Sequence, residues 1–560
     1  MSDPPTGAEA VAATLAELTD RVYGLCGGHI QPVWDALVDT PAEIVDTRDE
    51  RAAIHAAHAD ASVRDDLGVA MVTAGPGVTN SLTGVANAYT TGVPLLVVGG
   101  KPPTPQHDRG ALQQLDQREM VEPATAVAKT VQDPERLREY LVEAVAEARE
   151  QDAPAYVEFP TDVLRPAVQQ RPAREHPDPG PVQPTPEAVA AAADRPLVVT
   201  GRGVRSPAAA EALVEFVESA ELPALTTAGS KGAFGPDHSH EVPGARGRAM
   251  VEADALLVVG KRLDFTLAYG SETVFEDTAV VQVDRDPRAL YTNRTPDVAV
   301  RGSAERALPA LGDSVEAPLA DRDWLAALQE AHEERAAGLA ERKAADEDPI
   351  HPYRACGAIE AATDRPIVVC DGGDSLSFGR VALDSHDARG YLDPGPLGCL
   401  GVGIPFAVGA AKARPERDVV CFTGDGSAGF NVMELETAVR EGVDATFVVA
   451  NNAAWNIERY DQVERFGREA GSTLTNVRFD RLAEAMGASG RRVESVAELD
   501  DAVAAAVAED GPSVVDVVVD SDAVSPDARN GLPLVPRYQA LETWDESERT
   551  ARGEEPTYRQ

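Results

Sequence analysis

The sequence predicts an α/β protein of three domains, the first and third built alike, and three observations lead there. At 560 residues the chain exceeds what one hydrophobic core organises. Its apolar runs are strand-sized and punctuated by glycine and proline, as in Val69–Val72, Pro94–Val98 and Ala255–Val259. One pattern of strand, glycine turn, helix and strand also occurs twice. Thr73-Ala74-Gly75-Pro76-Gly77 stands 19 residues before Gly92-Val93, and Thr423-Gly424-Asp425-Gly426-Ser427 stands the same 19 before Gly442-Val443. The strands that follow end at Val98-Gly99-Gly100 and Ala450-Asn451-Asn452. Paired α/β halves suggest a site between them, because such sheets present ligands at the carboxyl ends of their strands. Units of this length are common enough that coincidence stays open.

Taken in order, residues 7–168 alternate helix and strand and form the first domain. Gln169–Pro186, rich in proline, glutamine and charge, has the composition of an extended linker. The central domain, 186–315, opens on the strand Pro196–Thr200, which runs into the turn Gly201-Arg202-Gly203. That turn lacks a full dinucleotide fingerprint and is better explained as structural. A charged helix over Ala331–Asp348, stopped by Pro349, leads to the third domain, 350–525, and a charged tail follows at 526–560.

The formal net charge is -42 and is spread along the chain, with only six lysines. An acidic, lysine-poor surface suits a cytoplasm with molar salt, which screens repulsion to within about 3 Å. A halophilic source is therefore expected, with an ordinary acidic protein from a GC-rich genome as the alternative. No basic patch supports nucleic-acid binding, and no apolar run is long enough for a membrane span. The start of the chain carries no secretory signal pattern, so a cytoplasmic location is expected. Five cysteines without metal-ligand spacing fit free, buried thiols.

Chemistry concentrates at Gly424-Asp425-Gly426-Ser427, at the end of the apolar run Val419–Phe422. Glycines there let a phosphate approach the backbone, and a helix N-terminus adds N–H donors. Asp425 contributes a hard carboxylate, and 27 residues later Asn452 brings an amide oxygen to the same edge. Mg²⁺ favours a few such oxygens together with substrate phosphates. A GDG turn alone is weak, but GDGS followed by an Asn pair at this spacing resembles the thiamine diphosphate (ThDP) signature of the acetolactate synthase, pyruvate decarboxylase and 2-hydroxyacyl-CoA lyase superfamily.

That resemblance implies two related ThDP-binding domains, one for the pyrimidine and one for the diphosphate, flanking a Rossmann-like central domain. It implies that Asp425 and Asn452 ligate Mg²⁺ by side chain and Ala454 by its carbonyl, with Gly426 and Ser427 on the diphosphate. Glu50, otherwise an ordinary helix-start carboxylate, lies in a segment resembling the family's RHE motif, whose glutamate activates the cofactor through N1′ of the aminopyrimidine. Asp49 replaces the usual histidine, leaving that neighbour's role open. Gly395–Gly403 resembles the segment that bends the cofactor, with Leu400 as the wedge and the Gly398 carbonyl as an acceptor. The loop Thr73–Asn80 resembles the pyrimidine-side loop, placing Pro76 and Asn80 near the cofactor.

His29 and Gln113 resemble substrate-facing residues of benzaldehyde lyase and its acetolactate synthase-like relatives; a surface-loop histidine is the plain alternative. The expected function is making or breaking a carbon-carbon bond next to a carbonyl. Acetolactate synthase-like decarboxylation and carboligation lead, with a 2-hydroxyacyl-CoA or acyloin lyase as the alternative. The segment Gly426–Thr437 and Trp455 look closer to the lyases. Gly244–Arg248 departs from the flavin-binding pattern of true synthases, so FAD stays open without being expected. A small-molecule substrate and a homodimer or homotetramer, with Glu50 and Asp425 serving one site across subunits, complete the expectation.

Overall fold

The computed structural model describes residues 4–169, 193–271, 274–275, 277–313 and 319–529. The linker from residue 170 to Pro186 and the tail from residue 530 onward lie outside them; the tail's first residues form the short helix Pro526–Arg529. Three parallel sheets carry the chain. The first contains β1 (Arg21–Gly24), β2 (Glu43–Asp46), β3 (Gly68–Val72), β4 (Leu95–Lys101), β5 (Val127–Thr130) and β6 (Pro154–Pro160), in the order β2-β1-β3-β4-β6-β5. The central sheet has β7 (Pro196–Thr200), β8 (Ala224–Thr226), β9 (Ala255–Val259), β10 (Ala279–Asp284) and β11 (Val298–Arg301), ordered β11-β10-β9-β7-β8. The third has β12 (Ile367–Asp371), β13 (Tyr391–Leu392), β14 (Val419–Gly424), β15 (Thr446–Asn451), β16 (Ser489–Val493) and β17 (Ser513–Val518), ordered β13-β12-β14-β15-β17-β16.

The first and third orders are one pattern, so the repeated motif belongs to a repeated topology. In each, the chain reverses its direction of winding between the first and third strands of the sheet, β1 and β3 or β12 and β14. Loops diverge at such a switch point and leave a crevice for a ligand. The segments there are the loop Leu25–Ile30 with the loop Thr73–Gly75, and the pair Gly372–Gly373 with the helical turn that starts at Asp425.

Three expectations need correction. The charged helix runs over Arg322–Lys343 rather than Ala331–Asp348: Asp321 caps its start by accepting from Asp323 N and Trp324 N, and Trp324, Leu325 and Leu328 are buried in its first turns. Asp348 instead accepts from Val496 N at 2.8 Å. The donors after GDGS come from a single turn, Asp425–Ala428, while the longer helix starts at Glu434. All five cysteines are free, but Cys26 is exposed, since it lies in the loop leaving β1. In the Gly201–Gly203 turn the backbones pack closely: a Cβ on Gly203 would lie 2.5 Å from the Gly260 backbone.

Alanine richness in the helix Glu50–Arg64 lets it pack closely against the helix Gly403–Ala413 of the third domain. A side chain at Gly409 would sit 2.1 Å from the Ala56 carbonyl, so glycine is required. Phe406 fills this contact between the rings of His55 and His58, with centroids 5.7 and 4.8 Å away. Among the described residues, neither His55 nitrogen nor His58 Nδ1 has a hydrogen-bond partner. Burial, with Arg51 adding repulsion, pushes the His55 pKa from 6.5 down to about 3, and burial with Arg202 nearby lowers that of His58 well below its ordinary value.

Both histidines are therefore neutral in the fold, whereas the unfolded chain protonates them below about pH 6.5. Their stability contribution is complete above that pH and is lost as pH falls, at about 2.7 kcal/mol per pH unit for the two together. The double variant His55→Leu/His58→Leu should remove this slope in urea unfolding between pH 7 and 5. A stability difference from wild type that stays constant across that range would refute the account.

Candidate active site

Register places the metal-end residues before any ligand is considered. Gly424 pairs with Ala450 across β14 and β15, so the Asp425–Ala428 turn and the Asn452–Trp455 loop leave the sheet side by side. They enclose a cavity of about 60 Å³ lined by Asp425, Gly426, Ser427, Asn452 and Ala454, with Leu400 in its wall. A Cβ on Gly426 would lie 2.4 Å from the Trp455 ring, so only glycine fits there. Asn451 points the other way, donating to Val477 O and Asp516 Oδ1, as strand alternation requires. Asn452 Oδ1 accepts from Ala454 N at 3.2 Å, and Leu474 N and Trp455 N bond to Ala453 O and Ser472 O to hold the loop.

Asp425 is 6 % exposed, and no basic side chain pairs with it among the described residues. Burial pushes its carboxyl up to about 6, against backbone N–H groups of Gly426, Asn452 and Ala453 that favour the charged form. A buried carboxylate with no basic partner among the described residues, beside an amide oxygen and the Ala454 backbone, is a donor set for a hard divalent ion. Among the described residues no cluster of three or more His, Cys, Asp or Glu side chains could hold a metal. The residues therefore fit Mg²⁺ completed by phosphate and water, and not an all-protein metal cage.

Sequence reasoning missed part of this cradle. Gly372, Gly373 and Ser375, after β12, line the same cavity, and Gly372 takes φ 120°, which suits glycine alone. The signal was available: Ile367–Cys370 is an apolar run ending in a glycine pair, as in the motifs that were recognised.

A second group gathers at the first sheet's carboxyl edge. Asp49 caps the helix that Glu50 opens, accepting from Arg51 N, which gives the atypical residue before Glu50 a structural role. Glu50 is 6 % exposed, and its Oε2 accepts from Asn80 Nδ2 at 3.0 Å. Pro76 begins the helix Pro76–Thr91 and stays exposed. His29 Nδ1 lies 2.8 Å from Gln113 Oε1. Gln117, buried beneath them, accepts from Gly75 N at 2.8 Å and donates to Gly100 O and Glu158 Oε2, pinning the loop.

The structure keeps these two groups apart within one chain. The 60 Å³ cavity is lined by third-domain residues, and Glu50, Pro76, Asn80, His29 and Gln113 do not line it. Gly398 and Leu400 border a wider cleft of about 2590 Å³ shared with the central domain, and there Gly398 takes φ 65° with open space around it. Leu400, Gly372 and Gly373 wall both spaces.

Two sheets of one strand order, one carrying the Asp425–Asn452 cavity and the other a buried helix-start glutamate, fit a cofactor-binding enzyme of the ThDP class. Family models agree along the chain: "Thiamine pyrophosphate enzyme, N-terminal TPP binding domain" matches residues 5–120, the central domain 188–311, and the C-terminal TPP binding domain 371–517. The chain belongs to the thiamine pyrophosphate (ThDP) enzyme family and is an enzyme.

Its relatives span both expected reactions. A "Probable acetolactate synthase" of Mycobacterium bovis is 33 % identical over 525 residues, covering 91 % of this chain and 95 % of that one. "2-hydroxyacyl-CoA lyase 2" of Caenorhabditis elegans is 30 % identical, covering 92 % and 89 %. "Oxalyl-CoA decarboxylase" of Escherichia coli is 29 % identical, covering 90 % and 92 %. No helix among the described residues is long and apolar enough to cross a membrane.

Proposed function

We propose that this enzyme decarboxylates a 2-keto acid and joins the acyl unit to a second carbonyl compound, as an acetolactate synthase-like carboligase using Mg²⁺. The observation that carries this is the His29–Gln113 pair beside Gly75–Pro76, a compact polar site suited to a small carbonyl substrate. The acetolactate synthase relative, matched over 95 % of its length, supports it. ThDP, when bound, would supply a nucleophilic carbon for chemistry at the substrate carbonyl. Glu50 would face the pyrimidine and hold the activating proton. Asp425, Asn452 and the Ala454 carbonyl would hold Mg²⁺, and Gly426 and Ser427 would meet the diphosphate. Pro76 and Asn80 would border the pyrimidine, with the Gly398 carbonyl and Leu400 beside it. His29 would relay a proton, and Gln113 would orient the carbonyl. Neither step has a net change of oxidation state, so the reading does not call for FAD.

The wide cleft favours one alternative, a lyase acting on a 2-hydroxyacyl thioester. Its volume, beside the Leu400 turn, leaves room for the large carrier group of such a thioester. A panel of 2-keto acids, acyloins and 2-hydroxyacyl-CoAs with ThDP and Mg²⁺ tests both. Pyruvate giving acetolactate is the expected result; thioester cleavage without pyruvate turnover would transfer the assignment to the lyase.

The separation of Glu50 from the metal cavity within one chain supports a site completed by a second copy, in a homodimer or homotetramer. Sedimentation showing an active monomer would exclude it. The charge of -42 supports a halophilic origin. The melting temperature should then fall when molar KCl is replaced by low salt, as unscreened repulsion grows; a salt-independent melting curve would end that proposal.

A further inference from the structure

The turn carrying Leu400 is gripped at one residue, Gly401, from two directions. Gly401 N donates to Asp371 Oδ1 at 3.2 Å, and Gly403 N donates to Asp371 Oδ2 at 2.9 Å. On the other side, Asn431 Nδ2 donates to Gly401 O at 2.6 Å. Asp371 and Asn431 are 1 % and 4 % exposed, so both clamps work out of water, where such bonds are strong and costly to leave unmade. Gly401 takes φ 84°, and a side chain there would meet Phe430 at 2.4 Å, so the turn has one way to sit. The remaining amide atom of Asn431 is also used: Arg51 Nη2 donates to Asn431 Oδ1 at 2.9 Å and to Phe430 O at 3.1 Å. Arg51 follows Glu50 in the same helix turn.

We propose that Asn431 is a positioning residue that fixes the Leu400 turn beside its own chain's cradle and, through Arg51, ties that turn to the Glu50 helix, which in the proposed dimer serves the other site, so that it sets how fast the cofactor at its own cradle is activated rather than how tightly its diphosphate is held. The inference rests on the ThDP assignment. Asn431 lines neither cavity, so it acts through Gly401 and Arg51. Truncation should loosen Gly398–Gly403 while leaving the Asp425–Asn452 cradle intact.

Two variants of the full chain test this, Asn431→Ala and Asn431→Asp. The second keeps an oxygen for Arg51 but puts a carboxylate against the Gly401 carbonyl. Hydrogen exchange by mass spectrometry on the cofactor-free proteins should show faster exchange in the peptide holding Gly401 and Gly403 for both variants, with the peptide holding Asp425 unchanged. With ThDP and Mg²⁺ added, exchange of the cofactor C2 proton should slow by about tenfold or more while ThDP affinity stays within about threefold of wild type, the split expected when positioning rather than binding is lost.

Wild-type rates of both exchanges in either variant would overturn the proposal. So would a general loss of protection or affinity, which would mark Asn431 as merely structural. A wild-type protein that fails to bind ThDP would overturn the cofactor assignment itself, and the proposal with it.

Discussion

Glu50→Gln should lower turnover by about 10²–10⁴-fold, the range for removing one general acid-base group, while ThDP and Mg²⁺ still bind. Glutamine keeps the shape of the side chain and an oxygen for Asn80 Nδ2, now 3.0 Å from Glu50 Oε2, so the helix start and its Asp49 cap stay in place. What is lost is the carboxyl's capacity to take and return a proton. Steady-state kinetics at saturating cofactor, with thermal melting to confirm the fold, checks this. Turnover equal to wild type would remove Glu50 from the mechanism.

Asp425→Ala should act at the other end, weakening Mg²⁺-dependent ThDP binding by more than about 100-fold, since changes to groups merely supporting a metal ligand cost 10–100-fold. Asp425 is the carboxylate among the three proposed ligands, and an amide and a carbonyl oxygen cannot replace its charge. Trp455 packs on Gly426 and makes an edge contact with Phe430 at 6.2 Å, so quenching of its fluorescence can follow occupancy. Unaltered quenching at wild-type cofactor concentrations would contradict the assignment.

The two variants together test the shared site. If Glu50 and Asp425 serve one site from different subunits, dissociating and reassociating an equal mixture of the two inactive proteins should restore about a quarter of wild-type activity. Half the dimers are then hybrids, each with one intact site. Sites contained in single chains would give no recovery.

Much of this molecule was legible in its sequence, for a local reason. Strand-sized apolar runs ending in glycine turns announced parallel α/β sheets, and a functional residue at a strand's carboxyl end inherits its address from that strand. Asp425, Asn452 and Ser427 could therefore be placed at one sheet edge, where they line one cavity, and the repeat was legible too, since its two sheets share one strand order. Gly372 and Gly373 carried the same signal and could have been found with it.

Other features had no such signal. Gly401 is held by residues 30 positions away on either side, Asp371 and Asn431, and Asn431 meets Arg51 across 380 positions. The burial of His55 and His58 against Phe406, and the distance between Glu50 and the metal cavity inside one chain, likewise arise from how domains pack. Sequence periodicity reports which face of an element is buried; which partner buries it, and which buried polar atoms then meet, follows only from close packing in three dimensions.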